Sequence, residues 1–290
     1  METKKIAVIG LGLIGGSILK GLQGKGYELL GIARREETIN QALEEKLIVK
    51  GSTKLEICSE ADIVFICTPI SKVIDTINKL SSIIKPDAII TDVASLKGDI
   101  MNHVNKTHPS MKFIGGHPLA GTEHKGLEAS LAELFVDARW VLTPPNVILK
   151  EDIQTLNAII EQLGAKIITA DPVQHDKAVA LISHMPLLLS QGLFGMVDTH
   201  PNMQLSELSM KLASSGFRDM TRLAATNPEL AKDMLCENKT NVIEAVKELQ
   251  EYLSRPEKKL VEDEETFVKI TEKLACSRKK MYSSDGKNLL

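Results

Sequence analysis

Ile6-Ala7-Val8-Ile9 runs directly into Gly10-Leu11-Gly12-Leu13-Ile14-Gly15, and this junction constrains the fold more than any other stretch. An apolar, β-branched run feeding a G-x-G-x-x-G turn and then a helix is the opening of a doubly wound α/β unit. Gly10 permits the tight turn, Gly12 lets backbone approach a pyrophosphate, and Gly15 lets the helix pack close to the strand. The N–H groups at the start of that helix then face the anion. Gly10, Gly12, Leu13, Ile14 and Gly15 are therefore candidate cofactor-binding residues.

The end of the second strand indicates which dinucleotide. A carboxylate there would accept from the ribose 2′-hydroxyl of NAD. The chain instead has Gly31-Ile32-Ala33-Arg34-Arg35. Two guanidinium groups suit a 2′-phosphate, so Arg34 and Arg35 point to NADP ahead of NAD. The alternative is a solvated loop in which they pair with Glu36 and Glu37.

Further strands are expected at Asp62–Thr68, Ala88–Ala94, Phe113–His117, Trp140–Thr143 and Lys166–Ala170, after Lys5–Gly10 and Glu28–Ala33. Runs apolar on both faces, such as Ile63-Val64-Phe65-Ile66, suit a parallel sheet covered on both sides. The pattern changes at Asp171-Pro172, a helix start. The helix that follows reaches about Val197 and is apolar on nearly every face from Ala178 to Leu189, so burial on all sides is expected. Pro186 should kink it, and Ser254-Arg255-Pro256 should break the chain before a last charged helix. Between them, Val242, Val246, Leu249 and Leu253 form a helix seam. The expected architecture is a Rossmann-like, doubly wound, mostly parallel sheet in 1–170, followed by an all-α domain in 171–290. More apolar helix surface than the second part can cover predicts a homodimer joined there. After Met281 the few remaining residues, with Ser283-Ser284-Asp285-Gly286, are too few for a regulatory core.

Composition narrows the function. A net charge of −3 over 290 residues, with one Trp, three Tyr and six Phe, argues against nucleic-acid binding. No apolar stretch reaching the 18 or so residues of a membrane span is expected. Cys58, Cys67, Cys236 and Cys276 are too scattered for a zinc ribbon or disulfide framework. The expectation is a soluble, cytoplasmic protein acting on a small molecule.

Gly115-Gly116-His117-Pro118-Leu119-Ala120-Gly121-Thr122-Glu123 places a histidine among glycines at a strand's carboxyl end, where doubly wound sheets bind ligands. Such a His can act as a general base near neutral pH. His175, His103, His108 and His200 lack such context and are expected to be solvated.

Other blocks accompany it in order: Cys67-Thr68-Pro69, Asp92-Val93-Ala94-Ser95-Leu96-Lys97, Ser183-His184-Met185-Pro186 and Ser215-Gly216-Phe217-Arg218-Asp219-Met220-Thr221-Arg222. Together they resemble the prephenate/arogenate dehydrogenase family, most of all its cyanobacterial arogenate dehydrogenases. The resemblance implies oxidative decarboxylation of arogenate, or prephenate, to tyrosine or its keto analogue. It implies that His117 is the catalytic base, that Ser95 stands between it and the cofactor, and that His184 is a second active-site histidine. It also implies that Arg222 holds the substrate's side-chain carboxylate, with Arg218, Thr122 and Glu123 nearby, and that Thr68 and Pro69 lie along the cofactor. Where some members carry another His three residues past His184, this chain has Leu187, which weighs against prephenate. The chemistry needs one base and firm orientation and no metal, because aromatisation drives the loss of carbon dioxide. Plainer readings make His184 a satisfied core residue and pair Arg218 or Arg222 with Asp219. A prephenate dehydrogenase using NAD and a non-catalytic nucleotide sensor on the same fold are the competing functions.

Overall fold

Strand β1 (Lys5–Ile9) forms where Ile6, Ala7 and Val8 leave no polar face, and all three are fully buried. It takes a central place in an eight-stranded sheet. The other strands are β2 (Glu28–Ile32), β3 (Lys50–Ser52), β4 (Ile63–Ile66), β5 (Ile89–Asp92), β6 (Lys112–Pro118), β7 (Arg139–Thr143) and β8 (Lys166–Thr169). Their order is β3-β2-β1-β4-β5-β6-β7-β8, with β6 and β7 antiparallel and every other neighbouring pair parallel. The computed structural model describes residues 3–122, 124–145 and 148–282, without the side chains of 256–262. Glu123, Asn146 and Ser283 to Gly286 thus lie outside the described residues.

Helices α1 (Leu13–Leu22), α2 (Glu36–Glu44) and α5 (Lys150–Gln162) bury Ile18, Leu19, Ile39, Leu156 and Ile160 against one face of the sheet. On the other face, α3 (Ile70–Leu80) and α4 (Gly98–Thr107) bury Val73, Ile77, Ile100 and Val104. This two-sided cover is what the doubly apolar strands require. The seven expected strands are present with ends shifted by a few residues. β3 is additional, because Lys50-Gly51-Ser52 is a short edge strand without a β-branched or apolar run.

Beyond β8 the chain is helical. Asp171 caps α6 (Pro172–Val179), its Oδ1 accepting from the N–H groups of Val173 and Gln174, both at 2.9 Å. A π turn (Ala180–His184) leads without interruption into α7 (Met185–Asp198). There the Met185 N–H reaches back five residues to the Ala180 carbonyl. The wider turn sits just before Pro186, which has no N–H to donate, and accommodates it within the helix. α8 (Met203–Leu212), α9 (Ser215–Thr221), a 3₁₀ stretch (Arg222–Ala225) and α10 (Pro228–Cys236) follow.

Two expectations about the α6–α7 helix are corrected. Pro172–Asp198 is, by length and composition, long and apolar enough to cross a membrane. Nor is the helix covered on every side within one chain: Ile182 is 69% exposed, and Leu181, Leu189 and Met196 are exposed too. The neighbouring short helices cover one face and leave the other open.

By chain contacts the molecule divides into two compact units, Met1–Lys239 and Thr240–Leu290. The second consists of α11 (Lys239–Glu262) and α12 (Glu264–Met281). In the predicted seam Val242 is buried, Val246 and Leu249 are half-buried, and Leu253 is exposed. α11 runs through Pro256, correcting the expected break there. In this exposed region water can satisfy the carbonyl that Pro256 leaves without a donor. The stop comes instead at Asp263, which caps α12 by accepting from the Thr266 N–H at 3.2 Å.

Trp140 on β7 is fully buried and packs edge-on to Phe65 and tilted against Phe135, at ring separations of 6.3 and 5.1 Å. Trp140→Ala should cost about 3–5 kcal/mol, read as a lowered urea midpoint of the whole chain.

Candidate active site

The strand order lays the candidate residues along one edge of the sheet. Arg34 and Arg35 follow β2, the glycine turn follows β1, Thr68 and Pro69 follow β4, Ser95 follows β5, and His117 lies near the carboxyl end of β6. Four inter-strand steps at about 4.8 Å make a track of roughly 19 Å from Arg34 to His117. The glycine turn fits a dinucleotide. Gly10 has φ of +99°, and a side chain there would strike the Cys67 carbonyl oxygen at 2.5 Å. A side chain at Gly15 would collide with the Gly10 carbonyl, so α1 starts flush against the turn. At Gly12 a Cβ would meet nothing within 4 Å, which leaves the outer side open to a ligand. The hydroxyl of Thr68, whose backbone N lies against Gly10, is buried and has no hydrogen-bond partner among the described residues. Arg34 and Arg35 are exposed, and no ion pair links either to Glu36 or Glu37 among the described residues.

His117 is held from several sides. In β6 it pairs with Val141 of β7, and the preceding Gly116 N–H donates to Asp92 Oδ1 at 3.1 Å. Asp92 is wholly buried at the end of β5; its other oxygen accepts from the Ala94 N–H at 2.9 Å and from the Lys97 ammonium. One carboxylate therefore fixes both the strand carrying His117 and the loop carrying Ser95. Burial, opposed by Asp92, lowers the pKa of Lys97. Burial, with His175, Lys97 and His184 around it, holds His117 well below the usual histidine value of 6.5. It is neutral at physiological pH and able to accept a proton.

His175, expected to be solvated, is instead buried beside His117. The two rings meet edge to face, with centroids 5.1 Å apart and His117 Nδ1 2.9 Å from His175 Nε2. His175 Nδ1 lies 2.8 Å from Asp176 Oδ1. Asp176 also accepts the N–H groups of Lys97 and Gly98 at 2.8 and 2.7 Å, at the start of α4. Asn238 completes the group: its Nδ2 donates to the Asp176 carbonyl at 2.9 Å and to His184 Nδ1 at 3.1 Å. Sequence reasoning missed His175, Asp176 and Asn238.

Helical spacing concealed the cluster. Nine residues of α-helix separate His175 from His184 by about 180° around the axis. The π turn that ends at His184 breaks this spacing, and His184 and Asp176 share Asn238. A proline preceded by His-Met in a long apolar helix was the available signal. His103 and His108 share Asn78 Oδ1, each at 2.8 Å, and His200 Nδ1 accepts from the Asn202 N–H at 3.1 Å.

The chain's likeness to known proteins agrees with this geometry. Residues 18–169 match the family described as prephenate dehydrogenase, nucleotide-binding domain, and residues 171–273 match its dimerization domain. The chain belongs to the prephenate dehydrogenase family. A prephenate dehydrogenase of Lactococcus lactis is 33% identical over 255 residues, covering 86% of this chain and 69% of that protein. The Synechocystis arogenate dehydrogenase structure is 35% identical, covers 95% of this chain and 99% of its own, and superposes with a TM-score of 0.88. The Aquifex aeolicus prephenate dehydrogenase in complex with hydroxyphenyl propionate and NAD+ is 28% identical, with 97% and 99% covered and a TM-score of 0.88.

In this family member the remaining candidates stand apart from the histidine cluster. Arg222 is exposed at the start of the 3₁₀ stretch, which is tied to α7 by the Ala224 N–H donating to Ser190 Oγ at 2.9 Å. Arg218 Nε donates to Asp219 at 3.1 Å and is largely exposed, as the plainer reading had it. Thr122 is exposed, its hydroxyl accepting from the His124 N–H at 3.3 Å. Among the described residues no hydrogen bond joins Arg222, Arg218 or Thr122 to His117, Ser95 or His184.

Burial, together with nearby His175 and opposed by Asp176, lowers the pKa of His184 to about 4. In the unfolded chain it titrates near 6.5. Its contribution to stability is therefore complete above that value and is lost as pH falls towards 4. His117 adds in the same direction. Between pH 7.5 and pH 5 the unfolding free energy should fall by about 2 kcal/mol on account of His184. Urea midpoints across that range should show the fall, and His184→Gln should flatten it.

Proposed function

We propose that the protein catalyses NADP-dependent oxidative decarboxylation of L-arogenate to L-tyrosine. The observation that carries this reading is a half-buried, neutral His117 at the end of the same sheet edge that begins with Arg34 and Arg35. The substrate ring bears a hydroxyl and a carboxylate on opposite carbons. His117 takes the hydroxyl proton, and Ser95 on the adjacent loop orients that hydroxyl. When bound, the dinucleotide supplies the acceptor for the hydride leaving the same carbon. The resulting dienone loses carbon dioxide and becomes aromatic, so no second base is required. Asn238 donates to His184 Nδ1, which places the proton of the neutral ring on Nε2 and makes His184 a hydrogen-bond donor to the substrate. Arg222 offers a planar fork for the side-chain carboxylate.

Two further features support the finer choices. Arg34 and Arg35, with no carboxylate between them and β2, favour a 2′-phosphate. Leu187, fully buried and apolar, stands where a histidine would offer prephenate another polar anchor. The uncovered face of the α6–α7 helix supports a homodimer joined through the helical part, in keeping with the match to a dimerization domain. The reading also places the enzyme in the cytoplasm.

Pairing arogenate or prephenate with NADP or NAD tests the reading directly. Arogenate with NADP should give the highest kcat/KM, and His117→Asn should lower kcat by about two to four decades while leaving NADP affinity intact. Higher kcat/KM with prephenate or NAD would overturn the corresponding choice.

Replacing Arg34 and Arg35 together with Ala should weaken NADP by about 1.5–3 kcal/mol, the worth of a charged hydrogen bond, with NAD little affected. Calorimetric titration of both dinucleotides reads the difference, and an equal loss would refute the 2′-phosphate assignment.

A further inference from the structure

A base that accepts at one ring nitrogen must have its proton fixed on the other. Nothing in the proposed reaction accounts for how His117 achieves this, and the structure supplies a partner. The chain of contacts runs from Asp176 Oδ1 to His175 Nδ1 at 2.8 Å, and from His175 Nε2 to His117 Nδ1 at 2.9 Å. A carboxylate offers only acceptors, and that of Asp176 already receives the N–H groups of Lys97 and Gly98. The proton between Asp176 and His175 therefore sits on His175 Nδ1. A neutral imidazole carries one N–H, so His175 Nε2 presents a lone pair. His117 Nδ1 must then donate, and Nε2 is left as the accepting atom.

We propose that His175, held by Asp176, is a positioning residue that locks His117 in the Nδ1–H tautomer and shares the positive charge when His117 takes the substrate proton. The proposal rests on the reading of His117 as the base. The proton passes from the substrate hydroxyl to His117 Nε2, and no bond to His175 need break. The arrangement crosses 58 residues of sequence to join β6 to the first helix after the sheet. The other charged and titratable groups facing the pair are Lys97 at the start of α4, paired with Asp92, and His184 in the π turn. Burial and the neighbouring His175, Lys97 and His184 all disfavour charge on His117, and the hydrogen-bonded path through His175 to the Asp176 carboxylate is what offsets them. A histidine that merely filled the core would have no reason to aim both ring nitrogens, one at a carboxylate and one at the catalytic ring.

The test uses the whole chain, labelled with 15N in its histidine rings, without substrate. Ring nitrogen shifts should report His117 as Nδ1–H in the wild type and in His175→Gln, whose amide oxygen takes the place of the accepting nitrogen. In His175→Leu the acceptor is gone, and His117 should move to Nε2–H, the form neutral histidine prefers in water. Kinetically, His175→Leu should lower kcat about 100-fold, the scale of a misplaced or mistautomerised base, with KM and NADP affinity within about twofold. His175→Gln should recover at least about tenfold of that loss. A wild-type His117 protonated on Nε2 overturns the proposal outright, whatever becomes of the variants. An unchanged tautomer in a folded His175→Leu, or a Gln variant no better than Leu, overturns it as well. A tautomer that follows His175 while His117→Asn keeps its kcat upholds the lock and removes His117 as the base, so the two failures are distinguishable.

Discussion

The Asp176 carboxylate is the joint on which the arrangement turns. It accepts two backbone N–H groups at the start of α4 and the ring N–H of His175, while its own carbonyl takes the Asn238 amide. The sheet edge, the first helix after the sheet and the end of α10 meet on this one residue. Without it, several buried donors would lose their partners, each at a cost of about 1–3 kcal/mol. His117 and the helical residues that surround it hold their places because this buried acceptor is satisfied from both halves.

Asp92 plays the matching part within the sheet. A buried pair such as Asp92–Lys97 is a poor source of net stability, since desolvation offsets most of the attraction. Its value lies in direction. By accepting from Gly116 and Ala94 as well, Asp92 fixes the strand before His117 and the loop before Ser95 relative to each other. Catalysis by orientation needs reacting groups held to within a fraction of an ångström, and in the proposed reaction two buried carboxylates would serve that end.

The α6–α7 helix carries site residues on one side and exposed Leu181, Ile182, Leu189 and Met196 on others. In the proposed homodimer this open surface would be covered by the second copy. The same element would then bear both the assembly and the active site, and the π turn next to Pro186 would be held from both sides.

The doubly wound sheet was legible because strands buried on both faces must be apolar throughout, as Ile63 to Ile66 are, and because Gly10, Gly12 and Gly15 each answer a local steric demand. His117 stood out for the glycines beside it. Short edge strand β3, the passage of α11 through Pro256 and the open face of the α6–α7 helix depended on neighbours or on solvent, and local pattern carries neither. The same holds for the histidine cluster. His175 and Asp176 stand 58 and 78 residues from His117 and Gly98, the groups they bond. The π turn, of which His184 is the last residue, also departs from the spacing that helical periodicity would give it. Sequence determined the layers and the dinucleotide turn, because each follows from contacts within a few residues. Only the tertiary structure decided that His117 Nδ1 faces His175 and, through it, Asp176, because that depends on hydrogen bonds that exist only once distant segments are packed together.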